Sequence, residues 1–155
     1  MAMGIALVTG ATSGIGEEFC WQLAAAHHDL VLVARREEKL RKLAEDLRQI
    51  AGVKAEVIVA DLGVAGDVDR VAQRLADEQS PVGLLVNNAG FALGCSFIDN
   101  TIEAEENALD VMVRAPMVLS YAAIDAMRAR GRGAIINVSS VASETGAGTY
   151  SAHKA

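Results

Sequence analysis

A glycine-rich turn near the start of the chain constrains the fold more than any other stretch. Residues 9–16 read Thr-Gly-Ala-Thr-Ser-Gly-Ile-Gly, directly after the apolar run 5–8 and before a stretch with helical spacing. We expect Gly10 to allow a sharp turn at the end of a strand, Gly14 to let a phosphate approach the backbone, and Gly16 to bring the helix close to the strand. The unpaired N–H groups that begin such a helix favour a bound anion. Alone, this motif is weak evidence for a nucleotide site, because glycine turns between strands and helices are common.

Short apolar runs alternate with amphipathic stretches along the whole chain. The predicted strands are 5–8, 30–34, 55–60, 83–86 and 134–138, and the predicted helices are 15–26, 37–50, 64–79 and a fourth from 100 toward 129. Continuous apolar strands separated by helices indicate a parallel sheet with right-handed crossovers. The sequence therefore predicts an α/β fold with a doubly wound, Rossmann-like parallel sheet in the strand order 3-2-1-4-5.

The predicted helices also carry end and break signals. Asn100 with Glu103 is typical of a helix N-cap and its reciprocal partner, and Pro116 predicts a kink or a division inside the fourth helix. The glutamates at 17, 18, 103, 105 and 106 are interpreted as carboxylates that stabilise the helix dipole in first turns, and not as an acid/base pair.

Composition and charge exclude several classes of function. The net charge is −6, which argues against nucleic acid or an anionic membrane as a partner. Cys20 and Cys95 have no metal-ligand or disulfide spacing, so we expect inert thiols in a reducing, cytoplasmic compartment. His27, His28 and His153 show no metal-ligand pattern, and no apolar run has the length of a membrane span.

Polar side chains recur where the predicted strands end. They are Thr9, Arg35, Asp61, Asn87 and the pair Ser139 and Ser140. In an open parallel sheet, ligands bind beyond the carboxyl ends of the strands, at the point where the strand order reverses. The sequence therefore predicts that these residues share one site.

Two arginines follow the second predicted strand, about twenty residues after the glycine turn. An acidic residue there would accept a hydrogen bond from the 2′-hydroxyl of an adenosine ribose, whereas Arg35 and Arg36 suit a 2′-phosphate. Ser13 could donate to the same phosphate. The pattern predicts a preference for NADP(H) over NAD(H). The alternative is that both arginines are ordinary solvated residues at a strand–helix junction.

Tyr150 and Lys154 are four residues apart, so a helix would place them on one face. A cation close to a tyrosine stabilises the phenolate and lowers the pKa, which suits the phenol for proton transfer to and from a carbonyl oxygen. The alternative is an exposed helical pair without chemistry. Ser139 and Ser140 are both candidates for orienting the carbonyl, and the residues alone do not separate them or exclude an ordinary polar strand end.

Taken as a set, these motifs resemble the short-chain dehydrogenase/reductase family. The matching stretches are TGATSGIG at 9–16, Asp61-Leu62, NNAG at 87–90, NVSS at 137–140, and the Y-x-x-x-K pair of Tyr150 and Lys154. The resemblance implies an NADP(H)-dependent oxidoreductase that interconverts a carbonyl and an alcohol by hydride transfer. It implies that Tyr150 is the acid/base, that Lys154 tunes the tyrosine and holds the ribose, and that Ser140 orients the carbonyl.

The resemblance also implies which residues hold the cofactor. Asp61 and Leu62 would bound the adenine pocket, and residues 88–90 would lie on the ribose side. The full predicted set is Gly10, Thr12, Ser13, Gly14, Ile15, Gly16, Arg35, Arg36, Asp61, Leu62, Asn88, Ala89, Gly90, Tyr150 and Lys154. In this family the fourth and fifth helices commonly form a dimer interface, so self-association through the predicted fourth helix is an option.

Three departures from the family pattern support alternatives. Met112 stands where many members carry an asparagine that helps hold a water-mediated proton relay, and only nine residues separate Ser140 from Tyr150. The chain ends one residue after Lys154, so we expect residues 1–155 to form a single dinucleotide-binding domain that is incomplete at its C-terminus. The alternatives are a non-catalytic dinucleotide-binding fragment, a degenerate family member, or an interaction domain using the fourth helix. The substrate is not readable from the sequence.

Overall fold

The computed structural model describes residues 4–94, 96–146 and 148–155, so the expectation for the Cys95 thiol lies outside the described residues. The strands are β1 (Ile5–Thr9), β2 (Asp29–Ala34), β3 (Ala55–Val59), β4 (Val82–Asn87) and β5 (Ala134–Asn137). The helices are α1 (Gly14–Ala25), α2 (Glu37–Ala51), α3 (Ala65–Leu75), α4 (Ile102–Leu109), α5 (Ala115–Arg130) and α6 (Gly148–Lys154). A π-helical segment, Asp110–Arg114, joins α4 to α5.

All five strands run parallel in the order β3-β2-β1-β4-β5, so the predicted Rossmann-like topology is confirmed. The order reverses at β1, which lies between β2 and β4. Thr9 at the end of β1 is paired with Val33, and Asn87 at the end of β4 is paired with Asn137. The carboxyl ends of these strands therefore form one edge of the sheet, on either side of the reversal point.

The core consists of two apolar layers, one on each face of the sheet. On one face Leu7 packs in a cluster with Leu75 of α3 and Leu119 of α5. On the other face Val8 packs in a cluster with Cys20 of α1 and Leu40 of α2. Because successive side chains of a strand point to opposite faces, the central strand β1 is buried on both sides. The sheet thus gives the loops at its carboxyl edge a rigid support.

Helix α3 is shorter than the sequence predicts. It ends at Leu75 and not near residue 79. Beyond it the carboxylate of Asp77 accepts a hydrogen bond from the backbone N–H of Gln79 at 2.9 Å, and Arg74 Nη1 donates to the carbonyl of Ser80 at 2.9 Å. Such local side-chain bonds compete with the helical ladder, which explains the early end.

The start of α4 also differs from the prediction. Thr101 caps the helix by accepting from the N–H of Ala104 at 3.2 Å, so the assignment of the cap to Asn100 is wrong. Asn100 uses its side chain elsewhere, as described below. The predicted break near Pro116 takes the form of the π-helical segment directly before it, while the backbone stays helical from α4 into α5. A change in the regular helical repeat is a common response to a proline, because the proline has no N–H for the helical ladder.

None of the helices in the described part of the chain is both long enough and apolar enough to cross a lipid bilayer.

Candidate functional site

The glycine turn between β1 and α1 has the conformation that its glycines suggest. Gly10 and Gly14 have φ values of +68° and +55°, a region that residues with a Cβ rarely adopt. A Cβ on Gly16 would overlap the carbonyl oxygen of Gly10, so only glycine lets α1 pack this close to β1. At Gly14, by contrast, a Cβ would meet nothing within 4 Å, and its absence leaves open space in front of the backbone.

The N-terminus of α1 opens onto this space. Ser13 is the N-cap residue, has an extended backbone and makes no capping hydrogen bond through its side chain. The first N–H groups of α1 therefore lack a capping side chain, and the positive end of the helix dipole points out of the turn. This arrangement fits a phosphate group, because open space, backbone donors and partial positive charge coincide.

A network around Thr9 joins the glycine turn to the end of β4. The Thr9 hydroxyl oxygen accepts hydrogen bonds from the backbone N–H groups of Asn88 at 3.0 Å and Ala89 at 3.1 Å, and the hydroxyl donates to the carbonyl of Val86. Asn88 Nδ2 donates to the Thr9 carbonyl at 3.0 Å. These bonds fix the Asn88 side chain against the turn, so Asn88 shapes the site by holding two strand ends together.

The two arginines after β2 have different surroundings. Arg36 Nη2 donates to both the carbonyl and the hydroxyl oxygen of Thr12, each at 3.1 Å, and so braces the glycine turn. Arg35 Nη1 lies 3.8 Å from the carboxylate of Asp61, and its side chain is 64% exposed. An ion pair that is this exposed is weak, so most of the Arg35 guanidinium remains accessible to an anion.

The predicted site residues line a single cleft of about 610 Å³, here called the first cleft. Of the residues predicted for catalysis and cofactor binding, only Gly14 and Gly16 do not line it. Thr9 and Asn87, also predicted to share the site, are buried and do not line the cleft either. The residues that do are Gly10, Thr12, Ser13, Ile15, Arg35, Arg36, Asp61, Leu62, Asn88, Ala89, Gly90, Ser140, Tyr150 and Lys154. Phe91 and Val138, which follow β4 and β5, and Val111, in the π-helical segment, also line the first cleft. They were not predicted, because single apolar residues in such places carry no sequence signal.

Lys154 lines the first cleft and is held by a hydrogen bond to the residue that follows β5. Its ammonium Nζ donates to the carbonyl of Val138 at 3.0 Å, and burial lowers the pKa of this lysine from its ordinary value. A Cβ on Gly90 would lie 2.9 Å from Nζ, so the glycine leaves the room that the ammonium needs. Tyr150 lies on the same helix, α6, and lines the same cleft.

Ser139 and Ser140 are distinguished by their hydrogen bonds. The Ser139 hydroxyl donates to the backbone carbonyl of Lys154, so its proton is already used within the protein. The Ser140 oxygen accepts from the N–H of Ala142 at 3.2 Å, which leaves the proton of that hydroxyl available for another acceptor. This geometry favours Ser140 for donating to a carbonyl oxygen.

A second cleft, of about 510 Å³, adjoins the first, and Phe91 and Tyr150 line both. Its remaining walls are largely apolar and include Leu93, Phe97 and Met112. Met112 is buried, and its Sδ lies 3.3 Å from the position that a Cβ on Gly90 would take. The Met112 thioether and the Lys154 ammonium thus both border Gly90, and the thioether can neither donate a hydrogen bond nor accept a strong one.

Glu105 lies in the first turn of α4, as the sequence predicts, but the sequence did not predict its burial. It is 7% exposed and lines the second cleft. Its carboxylate accepts from the Thr149 hydroxyl and from Asn100 Nδ2, each at 2.6 Å, and these bonds lower the pKa of Glu105. The missed signal was spacing, because Glu105, Ala108 and Met112 follow the helical repeat of a buried face.

Comparison with known proteins agrees with this geometry. The model of the short chain dehydrogenase family matches residues 4–155. A 7beta-hydroxysteroid dehydrogenase of Mediterraneibacter gnavus is 33% identical over 152 residues, which are 96% of this chain and 57% of that protein.

Two solved structures extend the comparison. A short-chain dehydrogenase from Sphingobium yanoikuyae in complex with NADPH is 37% identical with a TM-score of 0.94, over 98% of this chain and 60% of that one. A bulky-bulky ketone specific alcohol dehydrogenase from Comamonas testosteroni is 34% identical with a TM-score of 0.95, over 99% of this chain and 63% of that one. The chain thus spans less than two thirds of the length of each of these three proteins.

Proposed function

This chain belongs to the short-chain dehydrogenase family, and from that premise we propose that it is an NADP(H)-dependent oxidoreductase that interconverts a carbonyl and an alcohol. One observation carries the proposal. The first cleft brings the glycine turn, the exposed guanidinium of Arg35 and the pair Tyr150 and Lys154 together at the reversal point of the sheet. That combination supplies both a dinucleotide cradle and a proton donor.

The residues of the cradle suit the parts of a dinucleotide. The N–H groups at the start of α1 and the open space at Gly14 would hold the pyrophosphate. Asp61 and Leu62 would bound the adenine, and residues 88–90 would lie along the ribose. Lys154, with three donors on its ammonium, would hold ribose hydroxyls while it keeps its bond to Val138.

We assign the cofactor preference to Arg35. Its guanidinium is exposed at the end of β2, where an acidic residue would instead select the 2′-hydroxyl of NAD(H). A phosphate dianion offers it a stronger partner than the distant Asp61 carboxylate. Arg36 supports the cofactor site indirectly, because its Nη2 already donates hydrogen bonds to Thr12 and so stabilises the glycine turn.

The proposed chemistry divides between the cofactor and three side chains. A nicotinamide cofactor, when bound, would supply or accept the hydride at the carbonyl carbon. In reduction Tyr150 gives its phenolic proton to the carbonyl oxygen, and the Lys154 ammonium stabilises the phenolate that remains. The Ser140 hydroxyl donates a hydrogen bond to the same oxygen and so orients the carbonyl. In oxidation the proton returns to Tyr150.

We infer a bulky, mainly apolar carbonyl compound as the substrate class. The support is the second cleft, which adjoins Tyr150 and has largely apolar walls. A cytoplasmic location stays a prediction and is supported by Cys20, whose thiol is buried and unpaired.

We also propose that the chain self-associates through α4 and α5. Large apolar side chains form an exposed stripe along these helices, namely Ile102, Leu109, Val113, Met117, Tyr121 and Ile124. Single exposed apolar residues are ordinary, but a row of six along one helical path is typical of an interface. A second copy of the same stripe would be self-complementary around a two-fold axis.

The proposal of a reductase is tested by following NADPH oxidation with a panel of bulky ketones. We expect turnover by the wild-type chain and a loss of roughly 100-fold or more in kcat for Tyr150→Phe, with NADPH affinity retained. Tyr121→Phe, the same change at an exposed tyrosine far from the clefts, serves as the control. Binding of NADPH without turnover of any ketone would favour the alternative of a non-catalytic dinucleotide-binding domain, to which Met112 in the relay position points.

A further inference from the structure

The buried carboxylate of Glu105 has no part in the mechanism above, although it lies on the helix face that packs toward Tyr150. We propose that Glu105 is a positioning residue that holds the N-terminal end of α6, and with it the Tyr150 phenol, in place for proton transfer. This inference rests on the proposed reductase function and adds to it a residue that does not touch the reacting atoms.

The contacts of Glu105 connect three separate segments of the chain. Oε2 accepts from the hydroxyl of Thr149 in α6, and Oε1 accepts from Nδ2 of Asn100 in the loop before α4, both at 2.6 Å. Hydrogen bonds to a charged acceptor are short and strong, and burial shields them from competing water. Glu105 therefore ties the loop, α4 and α6 together at the wall of the second cleft.

Hydrogen bonds to other segments hold helix α6 near both ends of its described residues. The position of its side chains therefore depends on these tertiary contacts. At its C-terminal end the Ser139 hydroxyl bonds to the Lys154 carbonyl, and the Lys154 ammonium bonds to Val138. At its N-terminal end the bond from Thr149 to Glu105 provides the charged anchor.

The two anchors serve different functional residues. Tyr150 directly follows Thr149, so losing the Glu105 bond displaces the phenol first. Lys154 keeps its own bonds at the other end of α6 and stays beside the ribose site. The inference therefore predicts that proton transfer and cofactor binding separate when the Glu105 anchor is removed.

The decisive variant is Thr149→Val, which removes the hydroxyl and keeps the shape of the side chain. We expect kcat to fall about tenfold or more while the Kd for NADPH stays within about twofold of the wild-type value. Amide hydrogen exchange across α6 should accelerate by about tenfold, with the exchange of β1 unchanged. Thr149→Ser restores the hydroxyl and should restore both quantities.

Glu105→Gln tests the other partner, and Glu106→Gln is its matched control. Glu106 is the next residue on α4, is exposed, and undergoes the same chemical change. We expect Glu105→Gln to lower kcat, as Thr149→Val does. The kcat of the double variant should be little lower than that of either single variant, because both changes remove the same interaction. Glu106→Gln should have the wild-type kcat.

Wild-type kcat and wild-type exchange in Thr149→Val would overturn the inference, as would a kcat in Thr149→Ser as low as in Thr149→Val. A wild-type chain without any NADPH turnover would instead overturn the proposed function and the catalytic half of this inference. The exchange rates of α6 would then still decide whether Glu105 anchors the helix.

Discussion

Gly90 shows at the scale of one residue how a missing side chain can define a site. Its place in the turn after β4 is next to the Lys154 ammonium, and a Cβ there would lie 2.9 Å from Nζ and 3.3 Å from Met112 Sδ. Nζ is the far end of a flexible side chain, so the lysine would move and the backbone would not. Gly90 is thus needed for the position of a charge and not for the fold.

We predict that Gly90→Ala lowers kcat/KM by about tenfold, which is about 1.4 kcal/mol of transition-state stabilisation. Stability should be unchanged or slightly higher, because alanine restricts the unfolded chain and Gly90 does not have a positive φ. Steady-state kinetics and urea denaturation measure the two effects. Gly66→Ala, at an open position in α3, is the control. Equal activity of both variants would show that Lys154 tolerates the Cβ.

The residues of the site differ in how far the sequence could predict them. Tyr150 and Lys154 could be paired because helical spacing is regular, and the glycine turn could be placed because positive φ values favour glycine. The burial of Glu105 could not be predicted, because a carboxylate near a helix start is usually solvated. Its burial depends on hydrogen bonds from Thr149, which is 44 residues away in the chain, and from Asn100, which lies in the loop before α4. Which of Ser139 and Ser140 has a free proton also depends on contacts made after folding.

Among the elements, the strands could be predicted well because each is a short, mainly apolar run, and β1, β2 and β4 are largely buried. The ends of α3 and α4 could not, because they depend on single side chains. Asp77 bonds locally and stops α3, and Thr101 takes the cap that Asn100 gives up when it bonds Glu105. Pro116 predicted the change in the fourth helix because a proline lacks the N–H of the helical ladder, whatever packs around it.

The π-helical segment Asp110–Arg114 joins α4 to α5. It contains Met112, whose side chain borders Gly90. A π-helical turn adds a residue to the local repeat and so changes the face that the following helix presents. The segment therefore sets which side chains of α4 point to the clefts and which of α5 form the exposed stripe.

For the molecule as a whole, the exposed stripe on α4 and α5 predicts self-association. We expect the wild-type chain to sediment as a dimer and Tyr121→Arg to sediment as a monomer, because Tyr121 is 79% exposed and a charge at the centre of an apolar interface is not compensated. Analytical ultracentrifugation measures the change.

The control for this prediction is Ile50→Arg. Ile50 is 74% exposed at the end of α2, away from the stripe, so its replacement should leave the dimer intact. A wild-type chain that stays monomeric at every concentration, or equal dissociation in both variants, would contradict the proposed interface.

The architecture places the cofactor cradle at the reversal point of the sheet, with the positive end of α1 on one side and Arg35 on the other. The central claim is that this cradle binds NADP(H). Cofactor binding can be measured without knowing the ketone substrate.

The most direct measurement is a calorimetric titration of the 155-residue chain with NADPH and, beside it, NADH. We predict that NADPH binds about tenfold or more tightly than NADH, because the 2′-phosphate gains a charge-assisted bond to Arg35. Arg35→Asp should remove this preference, while Arg132→Asp, at an exposed arginine just before β5, should keep it. Equal affinity for the two cofactors in the wild-type chain, or an undiminished preference in Arg35→Asp, would contradict the account.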